Sequence, residues 1–136
     1  MYVTRLSLKQ RYRREYAEIL AELPQGRSWY RWDMASNSEL LRAAILEKMH
    51  VKAEYDGYHR EMCPHALGRK GGVRHVFSFQ FAGQSSGGLR PGGEWRCMEV
   101  DKLSNVSVTK GQWRTRDDYK GPPPSCIDQI EVEVAY

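Results

Sequence analysis

The sequence predicts an α+β fold, with N-terminal helices followed by a small antiparallel β-barrel. Three observations predict it. Apolar residues recur at three- and four-residue steps over residues 6–23 and again over 37–49. After Met49 the period drops to two, and short alternating runs follow, punctuated by Asp56-Gly57, Pro64, Gly71-Gly72 and a glycine-rich stretch. The 136 residues suffice for one core and leave little room for a second domain.

Each element has its own signal. In residues 6–23, Leu8, Tyr12, Tyr16, Ile19, Leu20 and Leu23 make one stripe, and Pro24-Gln25-Gly26 ends the helix. In residues 37–49 the stripe is Leu40, Leu41, Ala44, Ile45 and Met49, preceded by a capping box of Ser36 and Glu39. Val51, Ala53 and Tyr55 alternate with Lys52 and Glu54, which reads as a strand. Asp56-Gly57 then turns a hairpin into residues 58–63. Pro64 is expected to end that strand, because proline brings no N–H to the ladder. Residues 65–72 read as a loop. Val73, His75, Phe77, Phe79 and Phe81 alternate with Arg74, Val76, Ser78, Gln80 and Ala82 as the longest strand. A glycine-rich loop at 83–93 leads to strands at 94–100 and 103–108, an irregular stretch at 111–125, and a final strand at 127–136. Residues 1–36 are expected to hold the first helix and an aromatic loop, and 37–136 the helix-plus-barrel domain, together one structural unit.

Composition narrows the class. With 40% hydrophobic and 28% charged residues, neither a disordered tail nor a membrane protein fits. No run approaches the roughly 18 apolar residues of a span, and residues 1–10 lack a signal-peptide pattern. Cys63, Cys97 and Cys126 are far apart and odd in number. They are expected to be separate buried thiols in a reducing cytoplasm, without a disulfide or a metal site. The net charge of +4 permits an anionic partner. The cations concentrate before residue 126, and the last strand is acidic.

From residue 39 to 108 the ordered series resembles the WYL domain family. The matching residues are Ala43-Ala44-Ile45 on the leading helix, Val51-Lys52-Ala53-Glu54-Tyr55 on a strand, and Arg60. Pro64-His65-Ala66-Leu67-Gly68 fits the family's turn, Glu94-Trp95-Arg96-Cys97-Met98 its arginine-bearing strand, and Asp101-Lys102-Leu103-Ser104-Asn105-Val106 the segment after it. At the tripeptide that names the family this chain has Arg74-His75-Val76, and Lys102 stands where the family has Arg. The resemblance implies a small Sm-like β-barrel, here without the winged helix-turn-helix that accompanies it in bacterial transcription regulators. It implies a ligand-sensing or regulatory role, with nucleotides or single-stranded nucleic acid as ligands.

The expected ligand site is a cationic cluster of Tyr55, Arg60, His65, Arg74, His75, Arg96 and Lys102, since arginine's planar fork suits phosphate. On a strand Arg74 and His75 face opposite sides. The loop Gly83-Gln84-Ser85-Ser86-Gly87-Gly88 offers backbone N–H groups that could cradle an anion. Lys9, Arg11, Arg13 and Arg14 on the first helix, interleaved with tyrosines, offer salt-dependent phosphate contact. Trp29-Tyr30-Arg31-Trp32 is either an interaction patch or a plug on the barrel. No catalytic residues are expected, because the histidines lack metal-ligand spacing and the cysteines lack an adjacent base. Neither cofactor nor metal is expected. The competing expectation is a protein–protein interaction module or homodimer that takes no small molecule, with the terminal strand adding to a partner's sheet.

Overall fold

The computed structural model describes residues 36–135. The helix expected over residues 6–23, its cations Lys9, Arg11, Arg13 and Arg14, and the aromatic segment 29–32 lie outside the described residues.

Helix α1 (Asn37–Glu47) buries Leu40, Leu41, Ala43, Ala44 and Ile45, the apolar stripe of its sequence. Asn37 Nδ2 donates to the carbonyls of Val100 (3.1 Å) and Leu103 (2.9 Å), fixing the start of the helix to a distant turn. The helix stops short of Met49. Lys48 takes a left-handed φ of 53°, and the Met49 N–H reaches back 2.9 Å to the Ala44 carbonyl, a Schellman closure.

Strands β1 (His50–Tyr55) and β2 (Tyr58–Lys70) follow. Asp56 and Gly57 both have positive φ, 53° and 79°, as a type I′ hairpin turn requires. β2 does not end at Pro64. One edge of β2 pairs with β3 (Val73–Gly83), while its other edge pairs with β1 up to Met62 and with β6 (Gln129–Glu133) from Ala66. Pro64 sits at this change of neighbour, beside a register shift in the β3 ladder, so its missing N–H breaks no ladder bond on the outer edge. The expected loop over residues 65–72 is therefore the second half of β2 and a two-residue turn at Gly71-Gly72.

β4 (Glu94–Glu99) continues through a 3-10 turn (Val100–Lys102) into β5 (Ser104–Thr109). The six strands form one antiparallel sheet in the order β4-β3-β2-β1-β5, with β6 on β2. The expected α+β barrel is thereby corrected. The described residues hold one short helix, and the sheet is not closed, because β4 and β5 at its two ends share no ladder. A barrel hides its inner face by closing on itself. This sheet hides both faces by other means. α1 covers one, where Leu41, Ala44 and Ile45 pack with Val51, Ala53, Met62, Val76 and Met98. The irregular segment 111–127 covers the other, where Cys126 and Ile127 pack with Ala66 and Phe77, flanked by Trp95 and Tyr119.

The cysteines also depart from expectation. Cys97 on β4 and Cys126 form a disulfide across 29 residues, with Cα atoms 5.9 Å apart; only Cys63 is free, and it is buried. Separation along the chain hid this pairing, because the segment after β5 runs back along β4. With this bond present, the cysteines do not point to a reducing compartment. Among the described residues no helix is long and apolar enough to cross a membrane.

Candidate functional site

The alternation of β3 sorts its side chains. Phe77, Phe79 and Phe81 face the irregular segment, while Val76, Ser78 and Gln80 face the α1 side. Ser78 lies opposite Arg96 on β4, and Gln80 opposite Glu94 on β4 and Met62 on β2. Arg60 on β2 lies opposite Ala53. Three strands thus bring Arg60, Ser78, Gln80, Glu94 and Arg96 to one polar end of the helix-covered face.

Arg60 is only 5% exposed. Its Nη1 donates to Gln80 Oε1 (3.3 Å) and its Nη2 to the Tyr55 carbonyl (3.2 Å), and its guanidinium carbon stands 5.5 Å and 6.0 Å from the ring centroids of Tyr55 and Tyr58. Burial, and then the positive charge of Arg96, pull its pKa below the usual arginine value. Two like charges are therefore held near each other in a partly desolvated place. Arg96 donates from Nη2 to Ser85 Oγ (2.9 Å) and the Gly88 carbonyl (3.0 Å), and pairs with Glu94 at 3.1 Å. Glu94 is shared with Arg90 at 3.0 Å. Three buried polar atoms in this cluster have no hydrogen-bond partner among the described residues: Arg60 Nε, Arg96 Nε and Ser78 Oγ. Buried donors are seldom left so, since each costs roughly 1–3 kcal/mol.

The glycine-rich loop folds over Arg96, but not as an anion cradle. The Gln84 N–H is spent on the His59 carbonyl and that of Gly88 on the Ser85 carbonyl, and what the loop turns toward Arg96 are acceptors. Its first residue must be glycine. Gly83 has φ of +95°, and a Cβ there would collide with the His59 backbone.

The other expected site residues divide. Tyr55 joins the cluster at its rim, where its hydroxyl accepts from the Glu99 N–H at 3.1 Å. Lys102 lies near Tyr55, 63% exposed, with Nζ 3.2 Å from Glu99, whose hydrogen bond and charge raise its pKa. Arg74 lies six residues from Gln80 along β3, about 20 Å at strand spacing. It holds Glu131 by two bonds, Nε to Oε1 (2.9 Å) and Nη2 to Oε2 (3.1 Å), and reaches Ser38 Oγ at 3.2 Å. His75 contacts the Val73 carbonyl with Nδ1 at 3.0 Å. His65 is on the opposite sheet face and fully buried, its ring centroid 4.8 Å from those of Trp95 and Trp113 and 4.9 Å from that of Tyr119. Nδ1 donates to the Cys63 carbonyl and Nε2 accepts from the Thr115 hydroxyl, both at 2.8 Å, because a carbonyl can only accept. Burial pushes the His65 pKa down to about 4, against the opposing pull of the Cys63 bond. Neutral and enclosed, His65 is a packing residue.

The structure thus gathers Tyr55, Arg60 and Arg96, with Lys102 beside them, and separates His65, Arg74 and His75. Ser78, Gln80 and Glu94 escaped the sequence reading. Ser78 and Gln80 stand two apart between the phenylalanines of β3, a spacing that puts both on one face of the strand. Among the described residues no group of three or more His, Cys, Asp or Glu could hold a metal ion. Comparison with known protein families, with curated proteins and with solved structures returns no match.

Proposed function

We propose that this chain is a WYL-like ligand-sensing protein, not an enzyme, that takes a phosphate-bearing ligand at Arg60 and Arg96. The observation carrying this reading is the trio of orphaned buried donors on Arg60, Ser78 and Arg96. A phosphate offers several acceptor oxygens to satisfy them, and its charge offsets the repulsion between the two guanidiniums. Tyr55 and Lys102 flank the site. The loop acceptors Ser85 Oγ and Gly88 O hold Arg96 until a ligand competes for it. The resemblance over residues 39–108 points to a nucleotide or single-stranded nucleic acid. Calorimetric titration with mononucleotides, cyclic oligonucleotides and single-stranded oligomers tests this: one class binds, and Arg96→Ala weakens one binding step of that class at least tenfold. Absence of binding, or a titration in which no step responds to Arg96→Ala, refutes it.

The rival reading, a protein-interaction module, draws on Ile130 of β6, which is 51% exposed, and on the outer edges of β4 and β5, which pair with no strand among the described residues. Light scattering separates the two, since a module of that kind self-associates or captures protein while ignoring phosphate compounds.

A further inference from the structure

We propose that the aromatic face carries a second, separate site: a groove in which Arg114 stacks a nucleobase and binds the phosphate attached to it. A cavity of about 510 Å³ opens between β3, the end of the glycine-rich loop and the irregular segment, lined by Phe79, Phe81, Gly92, Trp113, Arg114 and Thr115. That volume is in the range of small-molecule sites. Phe79 is buried and forms the floor, while Phe81, which packs on His50 at 4.7 Å, and Trp113, which packs on His65 at 4.8 Å, are half-buried walls.

The charge pattern selects the ligand. The guanidinium carbon of exposed Arg114 lies 5.0 Å from the Phe81 ring centroid. The group stands over this ring, and the exposed side chain can take a ligand as well. Among the described residues no carboxylate pairs with Arg114. Its neighbour Arg116, 5.8 Å from the Phe79 centroid, is by contrast neutralised by two bonds to Asp118, at 3.1 Å and 3.0 Å. An arginine plane stacks a base as an aromatic ring does, and its N–H fork takes phosphate oxygens. Gly92 forms the facing lip. Open space lies where its Cβ would stand, and its φ of +89° disfavours larger residues, so a ligand approaches bare backbone. A base with its phosphate fits this set whether it comes as a free nucleotide or as part of a single strand.

The groove lies on the opposite sheet face from Arg60 and Arg96 and stands or falls independently of them. The full chain is titrated with AMP and with an oligo(dA) hexamer, followed by tryptophan fluorescence and calorimetry. Arg114→Ala is expected to weaken binding about tenfold or more, the worth of one base stack. Arg114→Lys, which keeps the charge and loses the plane, should bind nearly as weakly as the alanine variant, and the Arg114-dependent binding step should persist in the Arg96→Ala chain, whose first site is disabled. A hexamer bound much more tightly than AMP assigns the groove to a strand, and equal affinities assign it to a free nucleotide; both support the site. Binding untouched by Arg114→Ala, binding lost only in Arg96→Ala, or no binding of either probe to the native chain overturns it.

Discussion

Cys97, exposed on β4, is joined to buried Cys126, and this bond fastens the irregular segment 111–126 across the aromatic face of the sheet. The segment has no strand or helix of its own. Its other ties include bonds from Thr115 to His65, from Trp95 to Asp118 (3.0 Å), from Tyr119 to Glu133 (2.7 Å), from the Arg114 N–H to Cys63 Sγ (3.4 Å) and between His50 and the Gln112 carbonyl. Closing a loop of this size stabilises a fold by about 3–4 kcal/mol in the chain-entropy account. Under non-reducing conditions the denatured protein should therefore titrate one thiol, that of Cys63. Reduction, or Cys97→Ser, should lower the unfolding free energy by about 3 kcal/mol and open Arg114, Arg116 and Lys120 to trypsin. Three titratable thiols, or an unchanged urea midpoint after reduction, would contradict the bond.

His65 gives the fold an acid-sensitive point. Its folded pKa, about 4, lies below the ordinary histidine value near 6.5, so between those values the unfolded chain binds the extra proton and stability rises with pH. The contribution is fully present above about pH 6.5 and is lost as pH falls toward 4. A shift of this size corresponds to about 3 kcal/mol. Urea unfolding from pH 7 to pH 4.5 should show a falling midpoint, and His65→Gln, which does not titrate, should flatten most of that slope. A wild-type midpoint constant over this range would exclude the buried neutral imidazole.

Arg74 and Glu131 test which arginines belong to the scaffold. Their two-pronged contact, shared with Arg69 at 3.4 Å, has both side chains about one-third exposed. Solvent screens such a pair, and contributions of at most about 1 kcal/mol are usual. Arg74→Ala should cost no more than about 1 kcal/mol in urea unfolding and should leave titrations with phosphate ligands unchanged. Loss of ligand binding in Arg74→Ala would return this residue to the site.

What the sequence revealed, and what it concealed, follows one physical line. Local periodicity exposed α1, β1, β3 and the irregular 111–125 stretch, because each of those patterns is set by neighbours within a few residues. Pro64 misled, because whether a missing N–H matters depends on which strand lies alongside, and β6 arrives there from more than sixty residues later in the chain. Closure of the sheet, the Cys97–Cys126 bond and the convergence of Arg60 with Arg96 are likewise long-range facts. The resemblance favoured Arg60, Arg96 and the tripeptide 74–76 as site positions, but it could not tell that Arg74 is taken up by Glu131 or that His65 is walled in by Trp95, Trp113 and Tyr119.

Arg60 should show a conflict between function and stability. It is a buried charge with one donor orphaned and a second cation, Arg96, acting on it. Arg60→Met removes the desolvation penalty and the repulsion, and these gains offset the donors lost to Gln80 Oε1 and the Tyr55 carbonyl. Truncation to alanine removes the same charge but leaves a hole where the stem packed. Arg60→Met should accordingly unfold at a urea midpoint equal to or above that of the native chain, and Arg60→Ala below it. Both should lose phosphate-ligand binding at least tenfold, because the fork that takes the anion is gone. If Arg60→Met unfolds as early as Arg60→Ala, the guanidinium serves the scaffold through Gln80 and the Tyr55 carbonyl. A group kept for a ligand should instead burden the free protein, as residues held at binding sites commonly do.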